Sequence, residues 1–186
     1  MGTIEALCKE YERQVCLRWD DTLAGPQRVW FAVYEPSLER RLRLRVPLFE
    51  EATKKAGHGW ERVDLTDAFA NWMAGHEYRD SYFASPELLD IALPDFATDV
   101  ATKVRSQLQA PAVDEQTVVA ISGVASVFGL ASVSQLVEDV APSIQGRMLV
   151  FFPGHHEGSS YRLLDARDGW NYLAVAITST NGKGEV

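Results

Sequence analysis

The chain has 186 residues, 18 of them basic and 26 acidic, for a formal charge of -8. With 46% apolar and 24% charged residues it has the balance of a folded domain, which excludes a disordered, collagen-like or disulfide-scaffold chain. The acidic balance argues against a protein that coats nucleic acid or an anionic membrane, although a local basic face remains open.

At this length one core is expected, burying roughly 70% of the unfolded surface; two full domains would be cramped. Residues 1–178 read as one α/β domain that opens with a helix and loop over 3–26. The polar end, 179–186, is expected to fray. The start, Met1 to Glu5, lacks the basic residues and apolar run of a signal peptide, and no apolar run reaches the ~20 residues of a membrane span. The chain therefore reads as cytoplasmic, with no membrane partner.

In residues 3–18, Ile4, Leu7, Cys8, Tyr11 and Val15 recur at helical spacing, and Thr3 is placed to cap the helix. Cys8 and Cys16 lie eight positions apart on this segment, about 12 Å along a helix. That is too far for a disulfide, so both read as reduced, half-buried helix residues. No CxxC, HExxH or paired Cys/His spacing suggests a metal, and no cofactor is expected.

Asp20 to Pro26 breaks the helix, and Arg28 to Tyr34 is a continuous apolar run, the pattern of a buried strand. Pro36-Ser37 opens a helix that runs to about Ala56 and ends at Gly57, where a left-handed residue fits. Pro47 predicts a kink or restart near residues 44–47. The block Arg40 to Arg45 is the most basic stretch. It is either a solvated face paired with local glutamates or a docking patch for an acidic partner or phosphates, with Arg41, Arg43 and Arg45 as its candidates. His58 reads as helix-end punctuation.

Trp60 to Leu65 alternates as a strand, and Thr66 is placed to cap a short helix carrying Phe69, Trp72 and Met73. Residues 77–94 are aromatic and turn-rich, with a short helix after Pro86. Phe96, Val100, Val104 and Leu108 mark one helical face. Val118 to Ile121 is a second apolar strand, and Val133, Leu136, Val137, Val140 and Ile144 form a further helical stripe. Arg147 to Phe152 is the third buried strand, ended by Pro153-Gly154. Tyr161 to Leu164 and Tyr172 to Ile177 read as the arms of a hairpin about Asp168-Gly169.

Strands alternating with helices predict a three-layer α/β sandwich with a mostly parallel central sheet, closed by a C-terminal antiparallel hairpin. Such a fold would be Rossmann-like or P-loop-NTPase-like without the nucleotide motifs. Ligands of open α/β sheets collect at the carboxyl ends of strands. Neither GxxxxGK[ST] nor GxGxxG stands there. The small residues from Ser122 to Gly129 lack a lysine and a magnesium-holding acid, and Ser126 is not in a GxSxG elbow. Ser126, Gly154, His155 and His156 are the pocket candidates; His155-His156-Glu157 could supply a base or a ligand, or be an exposed loop beside the mobile-looking tip Gly158-Ser159-Ser160. Asp165, Arg167, Asp168 and Trp170, with Arg162 before them, form the densest polar and aromatic cluster. A structural turn, a catalytic or cation role, and a partner surface all fit it, and Arg and Trp are the residue types that anchor interfaces.

From Arg147 to Ile177, through Arg-Met-Leu-Val-Phe-Phe-Pro-Gly and then Tyr-Arg-Leu-Leu-Asp-Ala-Arg-Asp-Gly-Trp-Asn-Tyr-Leu, the sequence resembles the BrxB family of BREX bacteriophage-exclusion systems. The resemblance extends upstream to Val29–Pro36, Gly57–Phe69 and Val119–Gly129. That family has no assigned catalytic residues to carry over. The resemblance implies a non-enzymatic part in a defence complex that pairs host-DNA methylation with blocking of phage replication. The partner it implies is the phosphatase-like PglZ protein, with the methyltransferase and the large ATPase as more distant neighbours. Direct DNA binding by the isolated chain is not expected. Against this adaptor reading stands a small enzyme or degenerate nucleotide-binding domain, with an unfamiliar site at the strand ends.

Overall fold

The computed structural model describes residues 3–166 and 169–179. Five strands make a parallel sheet: β1 (Val29–Tyr34), β2 (Gly59–Asp64), β3 (Thr117–Ser122), β4 (Arg147–Glu157) and β7 (Val175–Thr178). Their spatial order is β2-β3-β4-β1-β7. Two short antiparallel strands, β5 (Ser160–Leu163) and β6 (Trp170–Asn171), extend from β4. The helices are α1 (Ile4–Val15), α2 (Glu39–Lys55), α3 (Ala68–Ala74), α4 (Arg79–Ala84), α5 (Leu89–Leu108) and α6 (Val133–Val140).

The apolar runs of β1 and β3 are buried at every position because helices cover both sheet faces. Alternation along β1 divides the core in two. Trp30, Ala32 and Tyr34 face α1 and α2, packing with Tyr11, Leu42 and Phe49. Val29, Phe31 and Val33 face the other layer, with Phe96 and Val104 of α5 and Val137 of α6. This is the expected three-layer sandwich. Strand β2, at the edge, carries Glu61 and Arg62, charges that discourage further strand pairing.

Local signals hold in several places. The Thr3 hydroxyl accepts from the Ala6 amide at 3.1 Å, and Gly57 closes α2 at φ 87°. Elsewhere the structure departs from the sequence expectations. Helix α2 runs unbroken through Pro47, with no restart, and begins at Glu39 after a 3-10 turn at Pro36–Leu38. Thr66 does not cap α3. Its amide and hydroxyl donate to Asp64 Oδ1 at 3.0 and 2.6 Å, closing a turn at the exit of β2. Cys8 is half-buried, but Cys16 is exposed.

The largest difference lies at the C-terminal end. Strand β4 does not stop at Pro153-Gly154 but continues to Glu157, where it pairs with β5. The partner of β5 on its other side is β6, not residues 175–178. Strand β7 instead crosses to the sheet edge and pairs in parallel with β1. The hairpin therefore takes the place of a crossover helix between β4 and β7. Tyr161 and Trp170 lie against Phe31, with ring centroids 4.6 and 6.0 Å away, so aromatic rings cover the part of β1 that a helix would cover. The turn at Arg167-Asp168 and the end from 180 to 186 lie outside the described residues.

Candidate functional site

The chain leaves β1 by α2 on one face of the sheet and leaves β4 by the hairpin on the other. These neighbouring strands are joined onward in opposite directions, to β2 and to β7. Their carboxyl ends are thus the switch point of the sheet, where ligands of open α/β folds bind. A cavity of about 260 Å³ lies there. Gly154, His155, His156 and Arg162 line it, together with Tyr34 and Glu35 at the exit of β1. The structure thus brings together three of the four pocket candidates and one of the partner candidates. Ser126 is not among them. It sits half-buried in the 3-10 turn Val124–Val127 after β3, with its amide donating to the Gly123 carbonyl at 3.0 Å.

That turn is structural. Gly123 adopts φ 76°, and a Cβ there would stand 2.5 Å from the Thr66 amide nitrogen. The strand-end polar groups around it satisfy one another. Arg62 donates to Ser122 Oγ at 3.2 Å and to Asp64 Oδ2 at 3.0 Å. Burial works against ionisation of Asp64, yet the Thr66 bonds and the nearby Arg62 hold its carboxyl below the ordinary carboxylate range. At the exit of β1, the Tyr34 phenol donates to Glu39 and is pushed up, first by burial and then by that carboxylate.

The basic block on α2 is engaged by glutamates. Arg41 Nη2 donates to both Glu5 carboxylate oxygens at 3.0 Å, Arg45 reaches the same carboxylate at 3.3 Å, and Arg43 bonds Glu39 at 2.8 Å. Backbone hydrogen bonding and then Arg41 keep the Glu5 carboxyl below its ordinary value. Of the C-terminal cluster, Asp165 and Arg162 are exposed, while Arg167 and Asp168 lie outside the described residues. Trp170 is partly buried among Phe31, Phe152 and Tyr161, and its indole nitrogen is buried without a hydrogen-bond partner. Its ring is therefore a core element more than a free anchor. It also borders a shallow, mainly apolar groove with Phe128 and Leu163.

Two further groupings were not legible in the sequence. His58 is more than punctuation: its ring stacks on Trp19 at 3.8 Å and 7°, and the Arg147 guanidinium lies 4.8 Å from the same indole centroid. Arg147 is only 3% exposed and donates to the carbonyls of Gly146 and Asp20, so burial, then Arg28, lowers its pKa. No spacing rule links residues 19, 58 and 147. The second grouping is apolar. Tyr78, Phe83, Leu88 and Ile91 all face solvent on the segment from the start of α4 to the first turn of α5, with Phe83 at 68% and Ile91 at 80% exposure. The expected short helix after Pro86 is present as a 3-10 turn, while α4 was not foreseen. Outward-facing phenylalanine and isoleucine in α4 and α5 hide the amphipathic signal that marks a packed helix.

No Ser or Cys side chain among the described residues is hydrogen-bonded to a histidine, and no group of three or more His, Cys, Asp or Glu residues among them is arranged to hold a metal ion. No helix of the described residues is long and apolar enough to cross a membrane. Comparison with family models, curated proteins and solved structures gave no match.

Proposed function

We propose that the chain is a non-enzymatic adaptor of a BREX-type phage-defence complex, binding and positioning a larger partner such as the phosphatase-like PglZ protein. The observation that carries the adaptor reading is the exposed apolar segment from Tyr78 to Ile91. Large apolar side chains cost free energy in water, and several on one short stretch mark a surface that another protein covers. The defence context comes from the resemblance across Arg147 to Ile177. The paired state of Arg41, Arg43 and Arg45 moves the expected docking face from the basic helix to α4 and α5, because those charges already have partners.

The test is capture of the tagged chain from its native host at physiological salt, with identification of what is retained. Stoichiometric recovery of a PglZ-like protein is the expected outcome. Recovery of the chain alone, together with turnover of a small substrate by the purified protein, would contradict the proposal.

A further inference from the structure

Beyond the carboxyl ends of the parallel strands, β4 and β5 form a two-stranded arm. His155 stands opposite Arg162, and Glu157 opposite Ser160. Directly opposed residues share a face, so these four side chains project from one side of the arm, while Tyr161 and Leu163 are buried on the other. The polar side borders the switch-point cavity and a smaller one of about 150 Å³ that shares His155, Glu157 and Arg162 with it.

Two backbone features fix this arm. A Cβ at position 154 would stand 2.1 Å from the Arg162 carbonyl oxygen, so glycine is what lets β5 approach so closely. Leu164, with φ 50°, turns the chain sharply out of β5, and its amide donates to the Pro153 carbonyl at 2.9 Å. A non-glycine residue held in the left-handed region is strained, and such strain gathers at ligand sites.

The charged side chains on the polar side of the arm, by contrast, have nothing to hold. Among the described residues, no hydrogen bond or ion pair engages the side chains of Arg162, His155 or Glu157. Arg28, Arg41, Arg43, Arg62 and Arg147 all bond to carboxylates, hydroxyls or carbonyls of the protein. An arginine beside a cavity, with no hydrogen bond or ion pair to any described residue, is prepared for an oxyanion. Its planar fork matches phosphate or carboxylate geometry. Glu157, an acceptor only when ionised, would take a donor from the same ligand.

We propose that the switch-point cavity binds a small metabolite, with a phosphate or carboxylate on Arg162 and a hydroxyl or amino group on Glu157. The cavity lies just below the usual range of roughly 300–1,000 Å³ for ligand pockets, which suits a small charged molecule and not a nucleoside triphosphate. This inference does not depend on the adaptor reading.

The test is an amide NMR titration of the full chain at constant ionic strength with three probes: inorganic phosphate, phosphoethanolamine and glycine. Saturable shifts centred on residues 154–163 are expected with at least one oxyanion probe, and phosphate against glycine tells which acid group is preferred. Arg162→Gln should weaken binding by about tenfold or more. Glu157→Gln should remove the advantage of phosphoethanolamine over phosphate and leave phosphate binding intact. If Arg162→Gln does not fold, Arg162→Lys decides, since it keeps the charge and loses the fork. Unchanged affinity in the folded arginine variant used, or no saturable shift with any probe up to about 50 mM, overturns the proposal.

Discussion

At the residue scale, Tyr11 and Thr53 show how one proton orders a buried pair. The Thr53 hydroxyl donates to the Phe49 carbonyl at 2.8 Å, so in the 2.6 Å contact with Tyr11 the phenol is the donor. Burial holds that phenol protonated well above its ordinary value. Tyr11→Phe removes the donor, leaves Thr53 still bonded and should cost about 1 kcal/mol. Thr53→Val strands a buried phenol and should cost about 1–3 kcal/mol. Urea unfolding of both variants checks the order, and a phenylalanine variant less stable than the valine variant would contradict the assignment. Cys8 gives a second prediction. Burial, aided by Glu12, Glu51 and Glu5, raises its thiol to about 11, whereas Cys16 is exposed. At pH 8 a disulfide reagent should modify one thiol quickly and one slowly. Because the folded value lies above the ordinary thiol value of 9.0, any contribution of Cys8 to stability is complete below that pH and is lost as pH rises through about 11. Equal labelling rates at pH 8 would refute this.

At the element scale, the β4–β5 arm depends on one close approach. Gly154→Ala places a methyl group 2.1 Å from the Arg162 oxygen and 3.0 Å from the Phe152 ring. The arm must separate, and a loss of roughly 1–3 kcal/mol is expected, the usual range for overpacking. Cross-strand NOEs between β4 and β5 should vanish while those of the parallel strands persist. Retained cross-strand NOEs would show that the approach is slack. The same arm marks the limit of what the sequence reveals. Val29–Tyr34 and Val118–Ile121 were legible because strands buried on both faces read as continuous apolar runs. Pro153-Gly154 read as a stop because proline lacks a donor and glycine weakens a strand. Yet Pro153 still serves as an acceptor for the Leu164 amide, and Gly154 is where β5 comes closest. With the strand cut short, the sequence does not reveal the pairing of His155 with Arg162, and Tyr172 to Ile177 reads as a hairpin arm. The Glu5 pairs with Arg41 and Arg45 were equally hidden, since they join residues 36 and 40 positions apart.

At the scale of the whole molecule, the charge is -8, Arg41, Arg43 and Arg45 of α2 are paired with carboxylates, and the segment from Tyr78 to Ile91 carries four large exposed apolar side chains, while Leu44, Leu173 and others are exposed singly elsewhere. Attraction to DNA rests on neutralising phosphates, so the isolated chain should not retard duplex DNA at physiological salt. Retardation there would return attention to α2. The adaptor proposal places a protein partner on the segment from Tyr78 to Ile91. Size-exclusion chromatography of the chain mixed with the purified PglZ-like protein of the same host, using wild type and the double variant Phe83→Glu/Ile91→Glu, decides whether it docks there. Both side chains face solvent, so each change should shift stability by no more than about 0.5 kcal/mol and leave the thermal midpoint nearly unchanged. Co-elution of the wild type and separate elution of the folded double variant is the predicted result; a wild type that elutes alone, or a double variant that still co-elutes, would contradict it.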